Sequence, residues 1–204
     1  ALAAFEPRGV TVEGARCLDA GASTGGFTDV LLSKGAREVA AVDVGYGQLV
    51  WRLRTDERVR VFDRTNVRGI DAEAIGGPVD LVVADLSFIS LALVLPAFAA
   101  CARPGASILP MVKPQFEVGK DRVGAGGVVR DPALRADAVL GVARAAADLG
   151  LVTSGVEPSP LPGPSGNVEY FLWLTVPGPD DDPSTAQSTS VEQLVSDAVE
   201  KGPQ

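Results

Sequence analysis

Residues 17–27 read Cys17-Leu18-Asp19-Ala20-Gly21-Ala22-Ser23-Thr24-Gly25-Gly26-Phe27. An apolar run ends on an acid, turns through glycines and enters the segment Thr24–Lys34, which has helical spacing. Glycine lets the backbone approach a ligand closely, and the N–H groups that open a helix are free donors. The turn has a purely structural reading, a tight strand-to-helix connection, and three functional ones. Gly21-Ala22-Ser23-Thr24-Gly25 fits the G-x-S-x-G nucleophile elbow, but the chain has no histidine, so the serine lacks its general base. A dinucleotide loop is weakened because Ser23 takes the place of the middle glycine through which a pyrophosphate approaches. Asp19, just ahead of the glycines, would repel a pyrophosphate and suits a cofactor with a cationic end. S-adenosylmethionine, with an ammonium and a sulfonium, is such a cofactor.

Outward from this turn, short apolar strands alternate with helical segments. Strands are expected near 15–20, 38–43, 58–62, 79–85, 106–113, 151–157 and 168–175. Helices are expected at Thr24–Lys34, Gly47–Leu53, Asp71–Ile75, Leu91–Cys101 and Pro132–Leu149. Asp131-Pro132 is a helix start and Gly150 a stop. The alternation calls for an α/β fold, a mostly parallel seven-stranded sheet with helices on both faces. Only the turn-rich Ser159-Pro160-Leu161-Pro162-Gly163-Pro164-Ser165-Gly166 separates the last two strands, so the last should run antiparallel. Residues 1–176 then form the main body and 177–190 a polar, mobile linker. Val191, Leu194, Val195, Ala198 and Val199 mark an amphipathic helix over 191–201 that packs on the body.

The 204 residues, 46% of them apolar, suffice for one domain with a real core. The two cysteines, Cys17 and Cys101, lie far apart in apolar runs, which argues against a disulfide framework or a four-cysteine metal site. The missing imidazole also removes histidine-ligated metals, and no metal is called for. The net charge of −8 is concentrated in the tail, where six acids face Lys201. The near-neutral body is a poor source of strong, sequence-independent affinity for nucleic acid. Six arginines between Arg52 and Arg68 read as a solvated face or a weak contact surface. Lys120, Arg122 and Arg130 flank a glycine-rich loop, Gly124-Ala125-Gly126-Gly127. The longest apolar run, Phe88 to Ala102, is too short to span a bilayer and reads as a buried helix. A cytoplasmic location is expected. The opening Ala1-Leu2-Ala3-Ala4-Phe5 looks like the tail of a helix, as if the chain were part of a longer protein.

Polar residues at strand ends make the candidate site, because the carboxyl ends of an open parallel sheet face the ligand crevice. Asp43 closes the second strand, where an acid can accept both hydroxyls of a ribose. Asp63-Arg64-Thr65-Asn66 closes the third, where Asn66 would meet an adenine edge. Asp85 and Lys113 close the strands after them, and Glu169 enters the same edge with the antiparallel strand. The candidate cofactor residues are therefore Asp19, Gly21, Ser23, Gly25, Gly26, Phe27, Asp43, Asn66 and Asp85. Asp85, Lys113 and Glu169 are the candidate catalytic group.

Five stretches in order, Cys17 to Thr28, Asp43 to Leu49, Asp85 to Ser90, Val112 to Glu117 and Gly166 to Phe171, resemble the TlyA family of FtsJ-like ribose 2′-O-methyltransferases, also called haemolysin A. The resemblance covers about residues 1–175 and implies a Rossmann-like, S-adenosylmethionine-dependent fold. It implies methylation of cytidine ribose in 16S and 23S ribosomal RNA, with ribosomal subunits as partners. It also implies a Lys-Asp-Lys-Glu tetrad whose last three members fall on Asp85, Lys113 and Glu169. The first lysine, and an S4-like RNA-binding domain that precedes the catalytic domain in the family, would lie upstream of Ala1. A membrane-lytic protein and a nicotinamide-dependent oxidoreductase are the alternatives.

Overall fold

The computed structural model describes residues 1–163, 165–179 and 189–203. A seven-stranded sheet runs in the spatial order β3-β2-β1-β4-β5-β7-β6. The strands are β1 (Arg16–Ala20), β2 (Glu38–Val42), β3 (Val59–Phe62), β4 (Val79–Ala84), β5 (Ala102–Val112), β6 (Val152–Pro158) and β7 (Tyr170–Thr175). β7 pairs antiparallel with both β5 and β6, and the other pairings are parallel. The order steps outward from β1 on one side and from β4 on the other. Their carboxyl ends therefore diverge into a crevice at the point where the chain changes direction across the sheet.

Side chains alternate across each strand, and the sheet buries both faces. One face carries Leu18, Val82, Ile108 and Leu172 with Phe98, and it is covered by α4 (Leu95–Cys101), α6 (Pro132–Asp148) and α7 (Val191–Lys201). The other carries Cys17, Val39, Leu81 and Phe171 with Phe5 and Leu31, from α1 (Leu2–Phe5) and α2 (Gly26–Ser33). Cys17 and Cys101 lie in different clusters and both are free thiols. Burial pushes the Cys17 thiol up to about 12 and the Cys101 thiol up to about 11, so neither is a thiolate at neutral pH.

The strands fall within a residue or two of their expected places, except that β5 starts earlier. It starts at Ala102, pairs with Val79, and shifts register before Ser107 meets Leu81. The bulge accommodates Pro104 and Gly105. α6 starts as expected, with the Asp131 side chain accepting from Ala133 N–H. α7 matches the expected 191–201. Most of the expected linker, 180–188, lies outside the described residues.

Three helical expectations need correction. Asp71–Ile75 is a turn, not a helix. Its Asp71 side chain caps Ala74 N–H at 2.8 Å, and Ile75 is fully buried. Gly76 and Gly77, at φ +84 and +133, then take the chain out of helical geometry. The buried Arg16 guanidinium holds this turn through the carbonyls of Ile75 and Gly77. Gly47–Leu53 reduces to α3 (Trp51–Arg54), because the residues before it wrap around the carboxylates of Asp43 and Asp63. Gly45 N–H donates to Asp43 and Gly47 N–H to Asp63. The run from Phe88 to Ala102 is not one buried helix. Phe88 is 90% exposed, a 3₁₀ turn spans Leu91–Leu93, and α4 begins only at Leu95.

Candidate active site

The residues singled out at strand ends lie along one edge of the sheet, in the order of the strands that carry them. From the β3 side, the line runs through Asn66, Asp43, the 19–26 turn, Asp85 and Lys113 to Glu169.

The glycine turn follows β1 and approaches the start of the next loop. A Cβ on Gly21, where φ is +85, would sit 2.4 Å from the Asp85 carbonyl oxygen. Only a residue without a side chain allows that approach. Gly25, at φ +105, has no space either, since a Cβ would meet Leu53 and Leu49. Asp19 is 1% exposed and lies on the α2 side of the sheet. One carboxylate oxygen accepts from Thr28 N–H at 2.9 Å and Thr28 Oγ1 at 2.7 Å, while Oδ1 is buried without a hydrogen-bond partner. Burial raises its pKa to about 6 against the two Thr28 hydrogen bonds. An unsatisfied acceptor at this depth is costly. It fits a cationic or hydrogen-bonding ligand group set against the turn.

Asp43 spans the turn and the next loop. Its two oxygens accept from Ser23 N–H at 2.8 Å and Gly45 N–H at 2.7 Å. A carboxylate offers about four lone-pair sites, which leaves acceptor capacity on both oxygens. Asn66 is exposed, and its side-chain oxygen caps Arg68 N–H at 3.0 Å. Phe27 turns inward, with its ring edge-on against Phe171 at 6.2 Å. Its part in the turn is to pack α2 on the sheet.

At the other end of the line, Lys113 Nζ lies 2.5 Å from Asp85 Oδ1 and 3.2 Å from Ser87 Oγ. The lysine side chain is 12% exposed and the aspartate 41%. Register explains the third member. Val112 pairs with Tyr170 and Met111 with Phe171 across the antiparallel β5–β7 ladder, so the next step outward sets Lys113 against Glu169. Glu169 is 6% exposed, and its Oε1 has no hydrogen-bond partner. Burial raises its pKa, with the Lys113 charge opposing and Asp85 adding to the shift. The acid, amine and acid thus converge.

Several neighbours carry no signal under a rule that looks at strand ends. Ser87 shares the Lys113 ammonium. Asn167, 2% exposed, accepts from Val129 N–H and donates to the Gly127 carbonyl, both at 2.9 Å, tying the glycine-rich loop to the segment that delivers Glu169. Beside Lys113, a cavity of about 580 Å³ is lined by Phe88, Ser90, Gln115, Phe116 and Lys120, among others. Phe88, at φ +65, meets Phe116 with ring centroids 5.1 Å apart. The sequence signal for these residues is their place close after β4 and β5 or, for Asn167, just before β7.

The FtsJ-like methyltransferase family profile matches residues 2–176. The chain belongs to the FtsJ-like methyltransferase family. A 16S/23S rRNA (cytidine-2′-O)-methyltransferase, TlyA of Mycobacterium tuberculosis, is 60% identical over 202 residues, which span 99% of this chain and 74% of the relative. A solved structure from Streptococcus thermophilus, provisionally labelled a hemolysin, is 38% identical with a TM-score of 0.85, covering 97% of this chain and 71% of that one. At 20% identity, a Burkholderia thailandensis 1,6-didemethyltoxoflavin-N1-methyltransferase, solved with S-adenosylhomocysteine, shares the fold at a TM-score of 0.58, over 85% of this chain and 74% of that one. Membership of the FtsJ-like family sets aside the nicotinamide oxidoreductase. Among the described residues, no helix is long and apolar enough to cross a membrane.

Proposed function

We propose that this FtsJ-like chain is an S-adenosylmethionine-dependent ribose 2′-O-methyltransferase acting on cytidine in 16S and 23S ribosomal RNA. The observation that carries the reading is the Asp85–Lys113 pair at 2.5 Å beside the glycine turn, with the buried Glu169 completing the group. The 60% identity to the M. tuberculosis enzyme supports the RNA class.

Asp19, with its unpartnered buried oxygen, and the Gly21–Gly26 turn suit the amino-acid end of the cofactor. Asp43 suits its ribose, and Asn66 lies where the adenine edge would fall. S-adenosylmethionine supplies an electrophilic methyl group on its sulfonium. The chain's own groups then manage the nucleophile. The Lys113 ammonium is ion-paired with Asp85 and donates to Ser87 Oγ, which fixes it where it can orient the attacking 2′-hydroxyl, whose proton is released as the O–CH3 bond forms and the methyl–sulfur bond breaks. Positioning of this kind accounts for a large part of the barrier reduction in a displacement that must run in line. Glu169 braces the lysine or the target ribose from the opposite side. Lys120, Arg122 and Arg130, around the glycine-rich loop, suit phosphate contacts. An S4-like domain, as in the family, would add RNA affinity beyond this near-neutral body.

Lys113→Ala should leave S-adenosylmethionine affinity nearly unchanged by calorimetry and abolish tritiated-methyl transfer to ribosomal subunits. Retained transfer would remove Lys113 from its role.

A further inference from the structure

We infer that Glu117 is a positioning residue for methyl transfer, the clamp that makes the two active-site loops one rigid frame. The inference rests on the function proposed above.

Lys113 and Glu117 bracket one short helix, α5 (Pro114–Glu117), which follows β5 directly. Each reaches across to the loop that follows β4, at opposite ends of that loop. Lys113 holds its beginning, at Asp85 and Ser87. Glu117 holds its end, where Oε2 accepts from Ser90 Oγ at 2.6 Å and Oε1 accepts from Leu91 N–H at 2.8 Å. Ser90 Oγ in turn accepts from Ala92 N–H at 3.3 Å. The carboxylate thus closes the start of the helical segment that leads into α4.

Between these anchors Leu86 and Ile89 pack inward against the core, and Phe88 points the other way. Phe88 sits at φ +65 and is 90% exposed, and its contact is with Phe116, again from α5. A non-glycine residue in the left-handed region persists only when its surroundings hold it there. The burial of Glu117 is the second indication. Half-buried, it faces a separate cavity of about 260 Å³ behind the loops, lined by Val118, Arg122, Asp137 and Val142. Burial raises its pKa against the Ser90 and Leu91 hydrogen bonds. A surface helix cap would not need a carboxylate placed at that cost. What the location provides is a rigid link between the acid and the amine of the reacting group.

Removing the clamp should let the Asp85–Ser87 end drift from Lys113 while leaving the glycine turn as it is. Displacement of a reacting group by about 1 Å costs about 100-fold in rate, so Glu117→Ala should lower kcat by about 30- to 100-fold. The Kd for S-adenosylmethionine should stay within about threefold, because Asp19, Asp43 and the glycine turn are untouched. Glu117→Gln can accept from Leu91 N–H and donate to Ser90 Oγ, and should restore kcat to within about fivefold of wild type. Ser90→Ala alone should lower kcat less than Glu117→Ala, and the double variant should be no worse than Glu117→Ala, because both cut the same link.

The measurements are tritiated-methyl transfer to ribosomal subunits, calorimetry with S-adenosylmethionine, and amide exchange of the full chain. Loss of the clamp should raise exchange across 86–91 and 115–118 together. An unchanged kcat in Glu117→Ala, no rescue by glutamine, or additive effects in the double variant would overturn the inference. So would faster exchange confined to α4, which marks a helix cap and nothing more. If wild type itself transfers no methyl group, the proposed function falls, and the exchange pattern alone decides whether Glu117 couples the loops.

Discussion

The contact between Gly21 and the Asp85 carbonyl makes a single methyl group a sharp probe of the crevice. In Gly21→Ala, the new Cβ would lie 2.4 Å from Asp85 O and 2.9 Å from Leu86 Cδ2, at a φ of +85. Cβ atoms do not approach within 3.0 Å of their neighbours, so the Asp85 backbone or the turn must yield by at least 0.6 Å. The backbone conformation alone costs an alanine about 1–2 kcal/mol, and displacing a packed strand end adds about 1 kcal/mol. A loss of about 2–3 kcal/mol in a chain of this size lowers Tm by about 4–12 °C. Because the displaced residue carries the Lys113 contact, methyl transfer should fall by about 100-fold. Gly26→Ala is the control. It lies in the same turn, has nothing within 4 Å of its Cβ, and opens α2, so its ligand-free Tm should stay within about 2 °C of wild type. Scanning fluorimetry and transfer from tritiated S-adenosylmethionine read both effects. An equal loss of ligand-free Tm from the two substitutions, or a Gly21→Ala protein as stable and active as wild type, would refute the argument.

Two further outcomes are expected. Asp19 keeps its proton up to about pH 6 in the folded chain and releases it near its ordinary value of 3.8 when unfolded. The folded state therefore binds more protons between those values, and stability falls as pH rises through that window. Asp19→Asn should flatten this dependence in thermal melts from pH 4 to 7, raise stability at neutral pH by up to about 3 kcal/mol, and weaken S-adenosylmethionine binding. A wild-type profile that is level or rising over pH 4–6 in the same way for both proteins would contradict it. Asn167→Ala leaves the buried Val129 N–H and the Gly127 carbonyl without their partner. It should cost about 2–3 kcal/mol and speed amide exchange at Val129, whereas unchanged exchange would show that Asn167 does not hold the glycine-rich loop.

The sheet was legible in the sequence because its inner strands are mostly buried and read as short, largely apolar runs, and β2, β4 and β5 are each followed at once by a polar residue. That polar ending is also why Asp43, Asp85 and Lys113 read as members of one edge, which Glu169 joins because its strand enters antiparallel from the same side. Less legible were segments whose shape depends on partners distant in sequence. Asp71–Ile75 has helical spacing, yet Gly76, Gly77 and the Arg16 guanidinium from β1 decide it as a turn. Phe88 belongs to an apolar run but projects outward, because the Glu117 and Lys113 contacts on either side of it set the loop's path. Asp43 read as a ribose acceptor, while its hydrogen bonds to Ser23 and Gly45 also make it the tie between two loops. Such double duties depend on distances that no spacing rule encodes.

The reversed direction of β7 places Glu169 ahead of its strand, whereas the other members of the line follow theirs. Loops that leave parallel strands hang from an edge already zipped. The approach to β7 instead hands Glu169 into the sheet, with Ser159 N–H bonded to the Glu169 carbonyl and Gly163 N–H to that of Asn167. Glu169 reaches its place only once β7 has docked between β5 and β6. Assembly of the crevice is thereby tied to completion of the sheet, and a partly folded chain that has closed only β1 to β5 would carry the acid and the amine without their third companion.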